Sequence, residues 1–320
     1  MNDSENHKKG WEKQTLEKLA FSSVNEQRRA RRWGIFFKSM TFIYLFILLF
    51  IGLGWFGDNG VTLSKKHTAI VDLRGEISAN SASSADNVNE GLRNAFKDQN
   101  TQGVILRINS PGGSPVQSGY INEEIKRLRV EYPNIPLYAV IEDICTSGGY
   151  YVAVAADKIF VNKASIVGSI GALMNGFGFT GTMEKLGIER RLLTAGADKG
   201  FLDPFSPSNL QQQEYAQKML NDIHQQFIQV VRKGRGKRLN EKHEIFNGIF
   251  SGIVWTGQKS IELGLTDALG STDYVAREII QAESIVDFTT KESFMDRFAK
   301  RLGSAATSAL INASSRWKIQ

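Results

Sequence analysis

From residue 67 onward, short apolar runs alternate with longer stretches whose apolar residues recur at helical spacing. The runs predicted to be strands are Ala69–Leu73, Gly103–Ile108, Leu137–Ile144, Lys158–Val161 and Arg190–Leu193. The stretches predicted to be helices are Ala85–Phe96, Val116–Val130, Tyr150–Ala156, Thr180–Leu186, Asn209–Arg232 and Gly257–Leu263. Apolar strands that alternate with helices pack as a parallel sheet with helices on its faces. The sequence therefore predicts an α/β domain over residues 67–285.

An uncharged apolar stretch, Ser39 to Gly57, precedes this domain. As a helix it is just long enough to span a hydrocarbon core of about 30 Å. Trp33 and Trp55 flank the stretch, as aromatic residues do at membrane interfaces. A basic cluster at residues 28–32 lies on its N-terminal side. Because basic loops stay inside, residues 1–38 are predicted to be a cytoplasmic segment, with the α/β domain on the other side of the membrane.

We expect residues 39–57 to remain as a transmembrane anchor and not to be removed as a signal peptide. The segment before them is 38 residues long, and no small-x-small cleavage site follows the apolar run. Residues 58–66 then form a polar linker. Residues 286–320 are mixed and charged at first and small and polar later, which is typical of a tail or an assembly segment.

Composition excludes several kinds of site. The single cysteine, Cys145, excludes a disulfide within the chain, and a strand cysteine among apolar residues is usually a small core residue. The four histidines do not cluster in the sequence, so we predict neither a metal site nor a cofactor. The net charge is +6, of which residues 1–38 hold +4. Since the excess belongs largely to one end, it does not indicate nucleic-acid binding.

Ser147 stands where a predicted strand runs through Thr146-Ser147-Gly148-Gly149 into a helix of small residues. A serine at such a turn has an exposed hydroxyl. The backbone amides that follow it have no acceptors within the helix. Together with the helix dipole they can stabilise a negatively charged oxygen. Ser147 is therefore a candidate nucleophile for acyl transfer.

A second turn, Asn109 to Pro115, leaves the strand GVILRI and also enters a helix. Its two glycines, Gly112 and Gly113, allow a close approach of the backbone to a ligand. The Gly113 amide can be aimed at the same point as the Gly148 amide, and two converging amides form an oxyanion hole. A tight strand-to-helix turn without function is the alternative interpretation.

A nucleophilic serine needs a base, and no histidine is near either turn in the sequence. His224, in a long polar helix, and His243, in a charged loop, are interpreted as surface residues. The other known activator is a lysine kept neutral by burial. Lys199 is one candidate, but spacing alone does not favour it over Lys158 or Lys163.

Several motifs resemble those of the signal peptide peptidase A family, the Ser/Lys serine peptidases of bacterial membranes. They are RINSPGGSP (107–115), TSGGYYVAVAADKI (146–159) with VGSIGA (167–172), TAGADKG with DPFSP (194–207), and VWTGQKSIELGLTDALG (254–270). The resemblance covers roughly residues 67–285. It implies the crotonase-like (ClpP-like) α/β fold and a homo-oligomeric ring in which a neighbouring subunit supplies the lysine to each serine.

The resemblance also implies the site residues. Ser147 would be the nucleophile and Lys199 the general base. The amides of Gly113 and Gly148 would form the oxyanion hole, and Ser169 would hold the lysine by a hydrogen bond. The lysine loop departs from the common pattern because its acid, Asp198, precedes the lysine, and we expect this carboxylate to face away.

These features predict a membrane-anchored serine endopeptidase of the bacterial inner membrane, with a periplasmic catalytic domain that needs no cofactor. Its partners would be the bilayer and hydrophobic peptides such as cleaved signal peptides. The glycine-rich stretch Ile166–Phe179 could line a groove for such a peptide or be packed core. Three alternatives stay open: a crotonase-type acyl-CoA hydrolase or hydratase, a non-catalytic peptide-binding scaffold, and a related membrane peptidase that acts on stomatin-like partners.

Overall fold

The computed structural model describes residues 26–49, 65–240 and 248–290. Helix α1, Glu26–Leu49, is exposed along its whole length, and its 24 residues are long and apolar enough to cross a membrane by length and composition. It begins well before Ser39 because the intervening arginines and alanine favour helix. The rest of the predicted cytoplasmic segment and anchor, most of the linker and most of the tail lie outside the described residues, so those boundaries stay predictions.

The α/β body follows the predicted alternation. Its strands are β1 (His67–Arg74), β2 (Thr101–Ser110), β3 (Leu137–Thr146), β4 (Lys158–Val161), β5 (Ile166–Gly168), β6 (Val254–Thr256), β7 (Ala268–Leu269) and β8 (Ile285–Asp287). Its helices are α2 (Ala85–Lys97), α3 (Pro115–Glu131), α4 (Gly148–Ala153), α5 (Thr180–Lys185), α6 (Leu210–Arg235), α7 (Gly257–Glu262) and α8 (Thr272–Tyr274). A π-helical turn, Val275–Ile280, continues α8.

The strands form one sheet in the order β6-β5-β3-β2-β1-β8, with β4 and β7 on a side branch. All neighbours pair in parallel except β5 and β6, which are antiparallel. The sheet divides at β3, whose first half pairs with β4 and whose last three residues pair with β5. The end of β3 therefore lies between β2 and β5. This parallel sheet flanked by helices confirms the predicted crotonase-like α/β fold.

The two faces of the sheet have separate cores. Side chains such as Val71 and Leu106 point to one face and pack under α2, α3 and α4. Their neighbours Ile70 and Ile105 point to the other face and pack against the π-helical turn. This alternation follows from the two-residue period of a strand. Because both faces are covered, the central strands are apolar nearly throughout, as the sequence predicted.

The strand prediction differs from the structure at residues 190–193, where a strand was expected, and at β5, where none was. Residues 190–193 form no strand but lie in an exposed connection, where no neighbouring strand offers a ladder of hydrogen bonds. Conversely, β5 is a strand that the pattern did not indicate. It has only three residues, too few to show a period, and it forms because β3 and β6 provide partners on both sides.

A buried ion pair ties the C-terminal end of α6 to the body. Arg235 is 2% exposed, and its guanidinium donates to both carboxylate oxygens of Asp267 at 2.8 and 2.9 Å and to the Gly264 carbonyl at 2.8 Å. Asp267 also accepts from the Ile159 amide. Burial alone would raise the pKa of Asp267, but the hydrogen bonds and charge of Arg235, together with the Ile159 amide and the charge of Arg238, outweigh it and hold that pKa below its usual range.

Replacing Asp267 by asparagine is expected to lower the free energy of unfolding by about 3–5 kcal/mol at pH 7, because it leaves the Arg235 charge buried and unpaired. An aspartate with a lowered pKa stabilises the fold above its unfolded pKa of about 3.9 and loses that contribution as the pH falls through its folded pKa. The difference from the wild type should therefore shrink below about pH 4 in urea titrations. The exposed Lys237→Met variant is the control, and an equal effect there would contradict the assignment.

Candidate active site

Ser147 is the single residue between the end of β3 and the start of α4. Its backbone has φ 50° and ψ −124°, a conformation that residues other than glycine seldom adopt. Two hydrogen bonds of 2.9 Å hold it there: the Ser147 amide donates to the Gly168 carbonyl, and the Tyr151 amide donates to the Ser147 carbonyl. The side chain is half-buried, and its hydroxyl forms no hydrogen bond with another described residue. It is free to meet a ligand.

The glycine turn after β2 lies directly against Ser147. A Cβ atom added to Gly112 would be 2.6 Å from the Gly148 nitrogen and 2.7 Å from the Ser147 Cβ. One added to Gly148 would be 3.2 Å from the Gly113 nitrogen. The structure thus brings Gly113, Gly148 and Ser147 together, as the sequence predicted. Any side chain at position 112 would push the two turns apart.

Neither the Gly113 amide nor the Gly148 amide donates to an acceptor in the described part of the chain. The turn that carries Gly113 is fixed by Ile77, whose amide donates to the Gly112 carbonyl and whose carbonyl accepts from the Ser114 amide, both at 2.8 Å. Two unpaired donors held in a rigid frame can stabilise an oxygen that gains negative charge.

Side chains that the sequence did not indicate lock the two turns together. The Thr146 hydroxyl donates to the Pro111 carbonyl at 3.0 Å. The Ser110 hydroxyl donates to the Gly75 carbonyl at 2.6 Å and accepts from the Gly112 amide at 3.1 Å. These contacts join strands β1, β2 and β3 at their carboxyl ends. They could not be inferred from the sequence because each depends on the pairing register of two strands.

Ser169 directly follows Gly168, whose carbonyl accepts the hydrogen bond from the Ser147 amide. Its backbone also lies in the left-handed region, at φ 52°, and its amide donates to the Ile253 carbonyl at 2.9 Å. The preceding Gly168 packs against Trp255, so that an added Cβ would be 3.0 Å from the indole ring. Ser169 is half-buried, and its hydroxyl forms no hydrogen bond with the rest of the described chain. The structure therefore places it beside the nucleophile turn with a free hydroxyl.

Lys199 lies elsewhere, in an exposed connection between β5 and α6 that we call the arm (residues 171–209). Its side chain is exposed and forms no hydrogen bond with Ser147 of the same described chain. It borders a cavity of about 590 Å³ that is also lined by Leu192, Leu193 and Phe201. The burial that would keep a lysine neutral is therefore not supplied by one chain alone. The described chain thus brings the serine and the two amides together, whereas Lys199 is exposed and makes no hydrogen bond to them.

Helix α6 holds the loop around this lysine. The Gln212 side chain donates to the Asp198 carboxylate at 3.3 Å and accepts from the Leu202 amide at 3.1 Å. It thereby bridges the residues on either side of Lys199. The Asp198 carboxylate is engaged with α6, in line with the expectation that it faces away from the lysine.

The other titratable side chains that we considered have structural partners. Cys145 is fully buried, and burial raises the pKa of its thiol, which excludes it as a competing nucleophile near neutral pH. The surface interpretation of His224 was wrong: its ring is half-buried, and its Nε2 lies 3.1 Å from the Ile170 carbonyl. His243 lies outside the described residues. Within residues 26–49, 65–240 and 248–290 no group of three His, Cys, Asp or Glu side chains could hold a metal ion.

Comparison with known proteins supports the predicted family. The model of peptidase family S49 matches residues 131–286, from the end of α3 to β8. A protein of Enterococcus faecium named "Putative signal peptide peptidase SppA" is 29% identical over 201 residues, which cover 63% of this chain and 57% of that protein. Residues 131–286 of the chain are thus similar to peptidase family S49. The resemblance to the signal peptide peptidase A family is thereby confirmed.

Another curated protein and one solved structure are also similar to this chain. A Brucella abortus protein named Na(+)/H(+) antiporter NhaA is 41% identical over 179 residues, which cover 56% of this chain but only 24% of that protein. A solved structure of a mutant 1510-N membrane-bound stomatin-specific protease with a substrate peptide has 12% identity and a TM-score of 0.46, covering 75% of this chain and 99% of that one. The matched part of the chain thus spans 24% of the Brucella protein and 57% of the Enterococcus protein.

Proposed function

We propose that this protein is a membrane-anchored serine endopeptidase in which Ser147 is the nucleophile. The observation that carries the proposal is the packing of the Gly112-Gly113 turn against Ser147 and Gly148, which leaves two amides unpaired beside a free hydroxyl. When Ser147 Oγ attacks a peptide carbonyl, the carbonyl oxygen becomes an oxyanion. The Gly113 and Gly148 amides then donate to that oxyanion, and they need no rearrangement to do so.

Lys199 is the proposed general base. A neutral amine takes the proton from the Ser147 hydroxyl during attack and returns it to the leaving amine. The resulting acyl-enzyme is released by water, whose proton the same amine accepts. Ser169, whose hydroxyl is free beside the nucleophile turn, is proposed to hold the lysine amine by a hydrogen bond.

We propose that the lysine of each site comes from a second copy of the chain. The arm that carries Lys199 exposes large apolar side chains that a soluble surface would normally cover. Among them, Leu193 is 97% exposed, Leu173 85% and Phe177 76%. Packing these residues against a neighbouring body would bury them together with the lysine. It would supply the desolvation that a neutral amine requires, and closed repetition of the contact would give a ring.

The remaining predictions of location and substrate belong to the same proposal. The α1 helix has the length and composition to span a membrane, and the basic residues at its N-terminal end favour a cytoplasmic start. The α/β body would then act on the outer side of the bacterial inner membrane. Hydrophobic peptides such as cleaved signal peptides fit a peptidase held at the bilayer, where such peptides are left after secretion.

Labelling with a fluorophosphonate tests the nucleophile directly. Incubation of the detergent-solubilised protein should attach one phosphonyl group to Ser147, which peptide mass spectrometry would locate. Ser147→Ala should abolish the label, whereas Ser208→Ala, an exposed serine of the arm, should leave it unchanged. Turnover of an acyl-CoA thioester in preference to an apolar peptide, or labelling at another residue, would refute the proposal.

A further inference from the structure

His224 makes a contact that the proposed mechanism does not use. It lies near the middle of α6, and its Nε2 is 3.1 Å from the carbonyl oxygen of Ile170, 54 residues earlier in the chain. A carbonyl oxygen only accepts, so the imidazole Nε2 carries the proton and donates. The acceptor belongs to the residue directly after Ser169. The histidine thus reaches the turn that is packed beside the nucleophile.

The turn from Gly168 to Ile170 is held from three directions. The Gly168 carbonyl accepts from the Ser147 amide, and the Ser169 amide donates to the Ile253 carbonyl. The Ile170 carbonyl accepts from His224 on α6. Ser169 sits at φ 52° between these contacts, in a conformation that persists only when its surroundings impose it.

The His224 contact is also the last hydrogen bond before eight residues that form none in the described chain. Residues 171–178 form no hydrogen bond with any part of the described chain; the next backbone bond joins the Phe179 amide to the Pro204 carbonyl. The buried Ile170 side chain anchors the carboxyl side of Ser169 in the core, and the His224 hydrogen bond fixes the orientation of the Ile170 carbonyl. Without His224, packing alone would hold that peptide group. A small rotation there would swing the Ser169 hydroxyl away from the nucleophile turn.

We infer that His224 is a positioning residue, which acts through the Ile170 carbonyl to orient the Ser169 hydroxyl toward the lysine base. The inference rests on the proposed function, because it assigns His224 to the same Ser147 site. It differs from a general stabilising role in one respect. The contribution of His224 to catalysis should exist only while Ser169 carries a hydroxyl.

The first test compares single variants of the full-length protein in detergent, with an apolar fluorogenic peptide. His224→Leu removes the donor at similar volume and should lower kcat by about ten- to a hundredfold with KM changed less than about twofold, because misplacement of a catalytic group by about 1 Å can cost up to about a hundredfold. His224→Gln keeps an N–H donor and should restore most of kcat. Gln225→Ala, an exposed neighbour on α6, is the matched control and should behave as the wild type.

The second test is a double-mutant cycle with Ser169→Ala. If His224 acts through Ser169, His224→Leu should cause no further loss in the Ser169→Ala background. Both single variants should also shift the rising limb of the pH–kcat profile in the same direction and by the same amount. Independent, multiplying losses would overturn the inference, and so would a His224→Leu enzyme with wild-type kcat.

Fluorophosphonate labelling separates the two possible failures. If Ser147 is labelled and Ser147→Ala is inactive while His224→Leu equals the wild type, the inference fails and the proposed function stands. If Ser147→Ala retains activity, the proposed function itself fails. A loss of kcat in His224→Leu that His224→Gln does not reverse would indicate a packing role and would also overturn the inference.

Discussion

Replacing Lys199 by alanine is expected to lower kcat by roughly four to six orders of magnitude, as removal of the base does in other enzymes with an activated serine. Without a proton acceptor the Ser147 hydroxyl stays a weak nucleophile, although the two amides beside it are unchanged. The measurement is the single-turnover rate on an apolar peptide. Fluorophosphonate labelling of Ser147 should slow in parallel, since the same proton must leave in that reaction.

The sequence itself supplies the matched controls. Lys158 stands opposite Tyr138, at the start of β3, about 30 Å along the strand from Ser147. Lys163 lines a cavity on the other face of the sheet, together with Ile70 and Val140. Lys158→Ala and Lys163→Ala should keep kcat within about twofold. An active Lys199→Ala enzyme would contradict the assignment of the base, as would an inactive Lys163→Ala enzyme that is correctly folded.

The wild-type rate should also rise with pH above neutrality, because the amine accepts a proton only after it has lost its own. The residual rate of Lys199→Ala should lack that rise over the same range. A pH-independent wild-type rate would argue against a lysine base. This measurement distinguishes loss of the base from a general disturbance of the arm.

The sequence could predict those parts of the fold whose apolar residues recur at a regular spacing. Strands β1, β2 and β3 and helices α2 and α3 were placed within a few residues, because each buries a continuous face that leaves a regular apolar pattern. The short strand β5 was missed and a strand at residues 190–193 was wrongly expected. A strand of three or four residues depends on its pairing partners, and a single sequence does not contain them.

The residues of the candidate site also fall into two groups: those that a local sequence pattern could predict and those that it could not. Ser147, Gly113 and Gly148 could be predicted because each stands at a strand-to-helix turn, where free amides and close backbone approach follow from local chemistry. The positive φ at Ser169 and the contact of His224 could not be predicted. The His224 contact joins residues 54 positions apart, and the Ser169 conformation is held by residues of other elements, such as Ile253. The burial of Lys199 stays a prediction, because the arm that carries this lysine is exposed along nearly its whole length in the described chain.

Co-expression of the Ser147→Ala and Lys199→Ala chains is expected to restore activity that neither variant has alone. If a neighbour supplies the lysine, an intact site forms wherever a Lys199→Ala chain, which keeps its serine, receives the lysine of a Ser147→Ala chain. With random mixing, about one subunit interface in four has the serine from a Lys199→Ala chain and the lysine from a Ser147→Ala chain. The mixture should therefore show about a quarter of wild-type activity. Measurements on the purified mixed assemblies, compared with each homogeneous variant, give the result.

A second mixture provides the control. Wild-type chains co-expressed with the Ser147→Ala/Lys199→Ala double variant should retain about a quarter of the activity if sites are shared, but about half if each chain uses its own lysine. Sites within one chain would also leave the first mixture inactive. The proposal of shared sites rests on two features of the described chain: a nucleophile turn with two unpaired amides, and an exposed lysine on an apolar arm. If the proposal is right, separated monomers should be inactive although they are folded, because the base would be buried beside the serine only on assembly.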